Sequence, residues 1–435
     1  MTKIQYTLLP LLLFVSLSLM ARSVNVKSYG AKGNGIADDA LAIYKAVQSL
    51  HNGDVLYFPS GTYKVSIAKN NGSVIYLTER KSVTIKGDNA TIVVTPNGFT
   101  HYNIICSENC NKLSIKGLKL CGDRLRHDYK TIKSTHEFGY GIYIVGNKAG
   151  KKSNITISDC GIYNMTGDAI VTKNGISSGK IVINGCILHH CRRQGVSILD
   201  SDEVQVENCQ IHHIGTSDGI TGTAPMAGID IEPGSGTKIV NKVTITGTNI
   251  YQCGYLSIVG RPNKFYLTNS SIEDLSLHQN KINSVTPSGT INRVSFYTNS
   301  PRKHYYYAPE IAWKDCTISC QPLGESEYCE IYARELQGCN VTGWIDAKTD
   351  KCMLGCRAKA KNCTFDTVRI IHSNSFGLGS QENNTYQHCS FLLYSPPELP
   401  FQSCSFIQCR TDEKSSKRVK LKGCTTDNSV FKEKP

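Results

Sequence analysis

Ser153-Asn-Ile-Thr-Ile-Ser-Asp-Cys-Gly-Ile-Tyr-Asn-Met165 is the unit from which this chain is built: a short alternating run, a polar break, a cysteine, then apolar residues two and five places on. The spacing returns as Cys186-x-Leu188-x-x-Cys191 and Cys209-x-Ile211-x-x-Ile214. Thr248-x-Ile250-x-x-Cys253 and Ser270-x-Ile272-x-x-Leu275 keep it with the cysteine replaced. It reappears at Cys339 with Trp344, Cys363 with Val368, Cys389 with Tyr394 and Cys404 with Cys409. Well-formed copies lie 22 to 26 residues apart, and such a period means a solenoid whose repeats bury their apolar faces only against their neighbours.

A leucine-rich solenoid would show a Leu-x-x-Leu-x-Leu frame with asparagine, and none is present. Each repeat instead holds two β-rich runs without a helical stretch between them. Asn154-Ile-Thr-Ile157, Lys180-Ile-Val-Ile183, Val204-Gln-Val206 and Lys242-Val-Thr-Ile245 are one strand; Gly141-Ile-Tyr-Ile144, Gly195-Val-Ser-Ile198 and Gly228-Ile-Asp-Ile231 are a second. Period-2 alternation turns Ile142, Ile144, Val196, Ile198, Ile229 and Ile231 inward and the residues between them outward. The reading is an all-β solenoid, a single-stranded right-handed parallel β-helix with an N-terminal capping helix.

Nineteen cysteines leave at least one unpaired. Cys160, Cys186, Cys209, Cys316, Cys339, Cys363, Cys389, Cys404 and Cys424 read as one repeat position where Thr248 and Ser270 also occur. A disulfide or metal ligand would not accept that exchange, whereas a small buried stacking position does, so a ladder of free thiols is expected. Cys106/Cys110, Cys316/Cys320 and Cys352/Cys356 could hold a bridge or zinc but lack the paired Cys-x-x-Cys spacing of zinc sites. No metal is expected from them.

Residues 1–21 combine Lys3, an apolar run from Leu8 to Met20 and small residues near Ala21, the pattern of a secretory signal peptide. A secreted or periplasmic protein, without membrane insertion, is expected. Beyond it, Asp39 precedes a helix whose apolar face is Ala40, Ile43, Val47 and Leu50, placed to cover the open end of the first coil. The chain divides into 22–65, cap and first strands; 66–284, β-helix core with groove-forming loops; and 285–435, continuing coils or a C-terminal β subdomain, since the rhythm weakens after Ser284.

Tyr29-Gly-Ala-Lys-Gly-Asn-Gly35, Asp38-Asp39 and Val55-Leu-Tyr-Phe-Pro-Ser-Gly-Thr-Tyr63 resemble the opening of pectate-lyase-superfamily β-helix proteins, which include polygalacturonases, rhamnogalacturonan-acting enzymes and phage tailspikes. The resemblance is strong over about residues 24–65 and generic to about 275. It implies right-handed winding, which agrees with the hand of parallel crossovers, and a carbohydrate substrate. It implies no reaction. The polygalacturonase set (Asn-Thr-Asp, mid-chain Asp-Asp, Gly-His-Gly, Arg-Ile-Lys) and the Arg-x-Pro-x-x-Arg of pectate lyases are missing.

Two coils are enlarged at one corner, by Cys121–Phe138 and by Thr216–Met226. Three coil steps apart, these loops would wall a groove about 14 Å wide. Arg124, Arg126 and His127 stand on the first wall. Outward positions of the second strand make the floor: Tyr143, Lys173, Ser197, Asp230 and Glu232, with Asp168 and Arg192-Arg193-Gln194 at the corner leading in. Asp230 and Glu232 share a face with α-carbons about 6.5–7 Å apart, near the separation an inverting glycosidase needs. Arg192 or Arg193 could clamp a uronate carboxylate, and Lys173 could take a C5 proton in a β-elimination. Such acids and cations on a solenoid face also form plain solvated ion pairs. The Asp/Glu pairing could hold Ca²⁺, a frequent lyase helper in the superfamily the opening resembles; no other cofactor is expected. His189-His190 above His212-His213, with Tyr163 and Tyr251 at equivalent positions, read as a stacking ladder; His189 and His212 are also candidate substrate contacts. Gly195-Val-Ser197-Ile-Leu199 lacks the second glycine and the helix of a nucleophile elbow.

The net charge of +13 and pI near 8.9 suit an acidic partner. A uronate polysaccharide fits both charge and fold, while nucleic acid lacks any binding motif. The expected protein is a monomeric polysaccharide lyase or glycoside hydrolase. The alternative is a non-catalytic glycan-binding or surface protein on the same scaffold.

Overall fold

The computed structural model describes residues 21–146, 153–216, 219–233, 239–281, 283–298, 303–319, 329–346, 351–372, 380–393 and 399–430. All of the signal-peptide reading except Ala21 lies outside them.

Each coil adds one strand to each face of a parallel solenoid. Asn154–Ser158 pairs in parallel with Lys112–Cys121 on one side and with Ile170–Asn184 on the other. Within it Ile155 and Ile157 are buried while Asn154 and Thr156 are exposed, as the alternation requires. Equal parity in successive coils stacks like on like. Ile142, Ile170, Val196, Ile229, Ile258 and Leu275 form one continuous inner row, and all six are fully buried. The molecule is a right-handed parallel β-helix.

The turns explain the cysteines. Asp159, Asn208, Asn269 and Asn362 have φ between 50° and 54°, and Gly185 and Gly247 stand in the same left-handed place. The residue that follows turns inward onto its copies. Cys209 donates its backbone N–H to Thr248 Oγ1 at 3.3 Å, Thr248 to Ser270 Oγ at 3.1 Å, and Cys363 to Asn384 Oδ1 at 2.9 Å. Thiols in turn donate to nearby carbonyls, as Cys160 does to Ser158 O at 3.2 Å. Any small side chain that can accept from the N–H below fits, so Cys, Thr, Ser and Asn exchange. Every described cysteine is a free thiol.

One cysteine was misplaced by the sequence pattern. Thr364 pairs with Thr385 and Thr385 with Ser405, which puts Asn384, not Cys389, between Cys363 and Cys404. Cys389 belongs to a second inner ladder with Val368 and Cys409: Ser390 N–H donates to Val368 O and Arg410 N–H to Cys389 O. Both ladders accept the same residue type, so spacing alone did not separate them.

At the N-terminal end the helix spans Ala40–Gln48, and Ile43, Ala46, Val47 and Leu50 join the continuous core. Asp39 occupies the N-cap position without capping through its side chain. Its carboxylate instead accepts from Lys32 N–H at 2.6 Å and Gly33 N–H at 2.9 Å, while Asp38 accepts from Ala40 N–H at 3.0 Å. The glycine loop and the Asp38-Asp39 pair are thus one hydrogen-bonded unit. At the other end parallel pairing continues to Thr425–Asp427, with larger inner rungs: Phe365, Tyr386 and Phe406 stack at 5.1 and 5.2 Å.

Candidate functional site

The outward row beside the inner isoleucines places Tyr143, Val171, Ser197 and Asp230 on adjacent coils, directly paired. Lys173 pairs with Val145 and Leu199 in the next outward row. Asp230 lies two coil steps from the Lys173 coil, about 10 Å of backbone, so these two candidates belong to different rungs.

Asp168, at the corner before Ile170, is fully buried and forms the centre of a polar cluster. Arg193 Nη1 lies 3.0 Å from Asp168 Oδ2 and donates to Gln194 Oε1 at 3.0 Å; Ser197 Oγ donates to the same Asp168 oxygen at 2.7 Å. Gln194 Nε2 donates to Asp230 Oδ2, which links the two carboxyls through one amide. Asp168 Oδ1 and Arg193 Nε are buried without a hydrogen-bond partner among the described residues.

This geometry sets the charges. Burial pushes Asp168 up to about 6 against the opposing pull of Arg193 and Ser197. Asp230, only 6% exposed, is pushed up to about 7, by burial first and then by Glu232. Arg193 is held above its ordinary value, because Asp168, Tyr140 and Asp230 outweigh its own burial. Tyr140, beside Tyr143 at 5.5 Å, is raised mainly by burial. One fixed cation thus serves two carboxyls that both ionise late, the pattern that divides acid from base in many enzymes. Asp230 faces outward as its parity requires, but it is covered, not solvated. Glu232 is the exposed member of the pair.

The loops do not form two separate walls. Arg192, on a coil between them, donates to Thr135 O at 2.6 Å, His136 O at 3.3 Å and Thr221 O at 2.9 Å, with its guanidinium 4.9 Å from the Tyr129 ring. Arg124 Nη2 donates to Thr216 O at 2.6 Å. The open 14 Å groove expected between the loops is therefore closed by two arginines that each reach across it. The joined loops form one flank of the Tyr143–Asp230 face.

Two expected substrate contacts face the wrong way. Arg124 is fully buried, and the His127 side chain is sealed between Asp123 Oδ2 at 2.8 Å and His136 Nδ1 at 2.9 Å. Tyr102 extends that chain to Asp123 Oδ1 at 2.6 Å. These residues hold the loop's shape from within; Arg126 alone of the three is exposed. Arg192 likewise spends its guanidinium on backbone carbonyls.

The histidines stack as expected. Tyr163, His189, His212 and Tyr251 lie parallel at 5.0, 5.2 and 5.0 Å, and His190 stacks on His213 at 4.9 Å. Burial and the neighbouring imidazoles press His189 and His212 down to about 4, so both are neutral near pH 7. The ladder is a different outward row from that of Asp230. Gln194 and Ser197 acquire roles that no motif announced, and Tyr140 was missed because it shares the parity of the inward Ile142.

Fold and face together define a parallel β-helix protein with a half-covered carboxyl–guanidinium cluster on its side. The chain belongs to the rhamnogalacturonase A/epimerase, pectate lyase-like family, whose pattern matches residues 23–298. It is 30% identical to the uncharacterized protein YclG of Bacillus subtilis (strain 168) over 228 residues, 48% of this chain and 38% of that one. It is 42% identical over 65 residues, 14% of this chain and 7% of the other, to the mannuronan C5-epimerase AlgE6 of Azotobacter vinelandii. Among solved structures, the pre-mature bacteriophage phi29 gene product 12 superposes with a TM-score of 0.51 at 18% identity, over 93% of this chain and 56% of that one. The matches thus span 38% or less of the length of these two curated relatives. Among the described residues no helix is long and apolar enough to cross a membrane.

Proposed function

We propose that this chain is an exported enzyme acting on an acidic, uronate-bearing polysaccharide, with Asp230 as the proton-transferring group. One observation carries the reading: on the outward face of the solenoid, a nearly covered carboxyl pushed up to about 7 stands in the field of the fixed Arg193 guanidinium. Near neutral pH, Asp168 is ionised and balances Arg193, while Asp230 can give or take a proton. Arg193 pairs with the uronate carboxylate. In elimination, ionised Asp230 takes the C5 proton as the bond from C4 to the leaving oxygen breaks; that oxygen takes a proton from water and an unsaturated uronate is left. In hydrolysis, protonated Asp230 gives its proton to the glycosidic oxygen and Glu232 activates water. Tyr143, Lys173, Arg126 and the rim of Arg192 contact sugar away from the reacting atoms. Arg193, not Ca²⁺, supplies the positive charge.

The local similarity to a mannuronan C5-epimerase favours a second reading, in which the C5 proton is removed and returned from the other side with no bond to oxygen broken. Incubation with a panel of uronate polysaccharides separates the outcomes. New reducing ends with ultraviolet absorbance mean elimination, new reducing ends alone mean hydrolysis, and altered sugar configuration without new ends means epimerisation. Retention without any chemical change would leave a binding protein and defeat both enzymatic readings.

A further inference from the structure

The outward row that carries Asp230 does not stop at residue 298, where the family match ends. Asp230 pairs with Val259, Val259 with Ser276, Ser276 with Tyr307, Tyr307 with Tyr332, and Tyr332 with Arg357. Four coil steps, about 19 Å, separate Asp230 from Tyr332. Over that distance the face changes from carboxylates to aromatics and cations. Tyr307 stacks on His278 with ring centroids 4.9 Å apart, and Tyr332 follows at 5.3 Å. The Arg357 guanidinium lies 5.7 Å from the Tyr332 ring and is held there by Glu330, at 2.6 Å from Nε and 3.3 Å from Nη2.

Beside this row the surface is hollow. Ala308 pairs with Ala333, and these two with Ala358 are buried core residues that back the hollow from beneath. The strands slip register there, between Ala308 and Ala312 and between Tyr332 and Glu335. The result is a cleft of about 470 Å³, within the range of small-ligand sites. Tyr307, Tyr332, Arg334 and Lys359 line it, and the last two are exposed. Three cations and one carboxylate, Glu310, are the charged residues of its lining.

We propose that this cleft is a second glycan-binding site, which holds a uronate-bearing segment of the chain whose reactive part lies at Asp230. Its substrate class rests on the function proposed above; its binding needs no chemistry at Asp230. The stacked rings offer rigid edges to a sugar, and their ordering cost is low because stacking already fixes them. Arg334 and Lys359 meet the carboxylates. Arg357, tied to Glu330 and the ring, keeps the platform in place. The cleft and Asp230 lie in one row, so a polysaccharide along the solenoid axis engages both, and holding it at one raises its effective concentration at the other.

Affinity electrophoresis in gels cast with polygalacturonate, alginate or a neutral glucan tests this. Wild type and Asp230→Asn should be retarded by at least one of the two uronate gels and not by the neutral one. The double variant Arg334→Ala with Lys359→Ala, both exposed positions, should bind that polymer about tenfold more weakly. Tyr332→Ala should weaken it similarly. The double variant should keep wild-type turnover on short oligouronates and turn over the polymer about tenfold more slowly at low polymer concentration. No retardation of wild type in either uronate gel overturns the proposal, as does equal retardation of the double variant. A protein retarded through the cleft but without turnover defeats the proposed function and leaves the cleft standing.

Discussion

Gln194 joins the side chains of Arg193 and Asp230: its Oε1 accepts from the guanidinium at 3.0 Å and its amide nitrogen donates to the carboxyl. The same Arg193 Nη1 lies 3.0 Å from Asp168 Oδ2, so a single cation is shared between two buried acids. The consequences are electrostatic and can be measured.

A carboxyl whose folded pKa is raised binds its proton more tightly in the native state. It costs nothing well below its unfolded value near 4, and the cost grows until pH passes the folded value, about 7 for Asp230. Asp230→Asn removes that cost. It should leave stability unchanged at acid pH and raise it by on the order of 2–4 kcal/mol above neutrality, read as midpoint shifts in urea unfolding. Equal stability of the two proteins at alkaline pH would remove the basis for a raised Asp230.

Arg193→Ala leaves Asp168 buried without its counter-charge and should cost about 3–5 kcal/mol. The paired variant Arg193→Ala with Asp168→Asn should recover much of this. In Arg193→Lys, which keeps the charge but not the planar fork, affinity for uronate substrates should fall more than affinity for neutral ones. Chelation of divalent cations with EDTA should leave turnover unaffected; its abolition would return Ca²⁺ to the mechanism.

Arg192 fastens one loop to the other. Arg192→Ala should increase protease cleavage within 121–138 and 216–226 while the β-helix circular dichroism stays unchanged. An unaltered digestion pattern would mean that the Arg124–Thr216 contact alone holds the loops.

Cys121 and Cys424 are only partly buried, while every other described thiol is buried. Native protein should therefore react quickly with a thiol reagent at few positions and with the remainder only on unfolding. Cys186→Ser should be tolerated, because serine keeps a small hydrogen-bonding group at the rung, whereas Cys186→Leu overpacks it by about 1–3 kcal/mol. Disulfides found by mass spectrometry in the native protein would overturn the thiol ladder.

The fold was legible wherever a period was repeated often enough to average out local exceptions. Ile142 and Ile144 against Tyr143 are read correctly because alternation depends only on the pleat. Cys389 was not, because two ladders with the same appetite for small residues run side by side. After Ser284 the rhythm faded: Val294 and Asn384 replace cysteine, and Phe365, Tyr386 and Phe406 replace the aliphatic rungs. Within the site, parity placed Asp230 and Ser197 on the outer face, and proximity in sequence placed Arg193 near them. It could not show that Gln194 covers Asp230, nor that Arg124 turns inward, since both depend on loop paths that no strand pattern encodes. Tyr140 obeys the interior parity yet packs beside Tyr143 at the edge of the face.

The most direct test of the account is the initial rate on a uronate polysaccharide across neutral pH, measured for wild type and Asp230→Asn. Wild type should show turnover with apparent limbs near the values of about 6 and about 7 set by the coupled carboxyls, Asp168 and Asp230. Asp230→Asn, folded and at least as stable, should show none. Turnover in the variant equal to wild type at every pH would contradict Asp230 as the proton-transferring group.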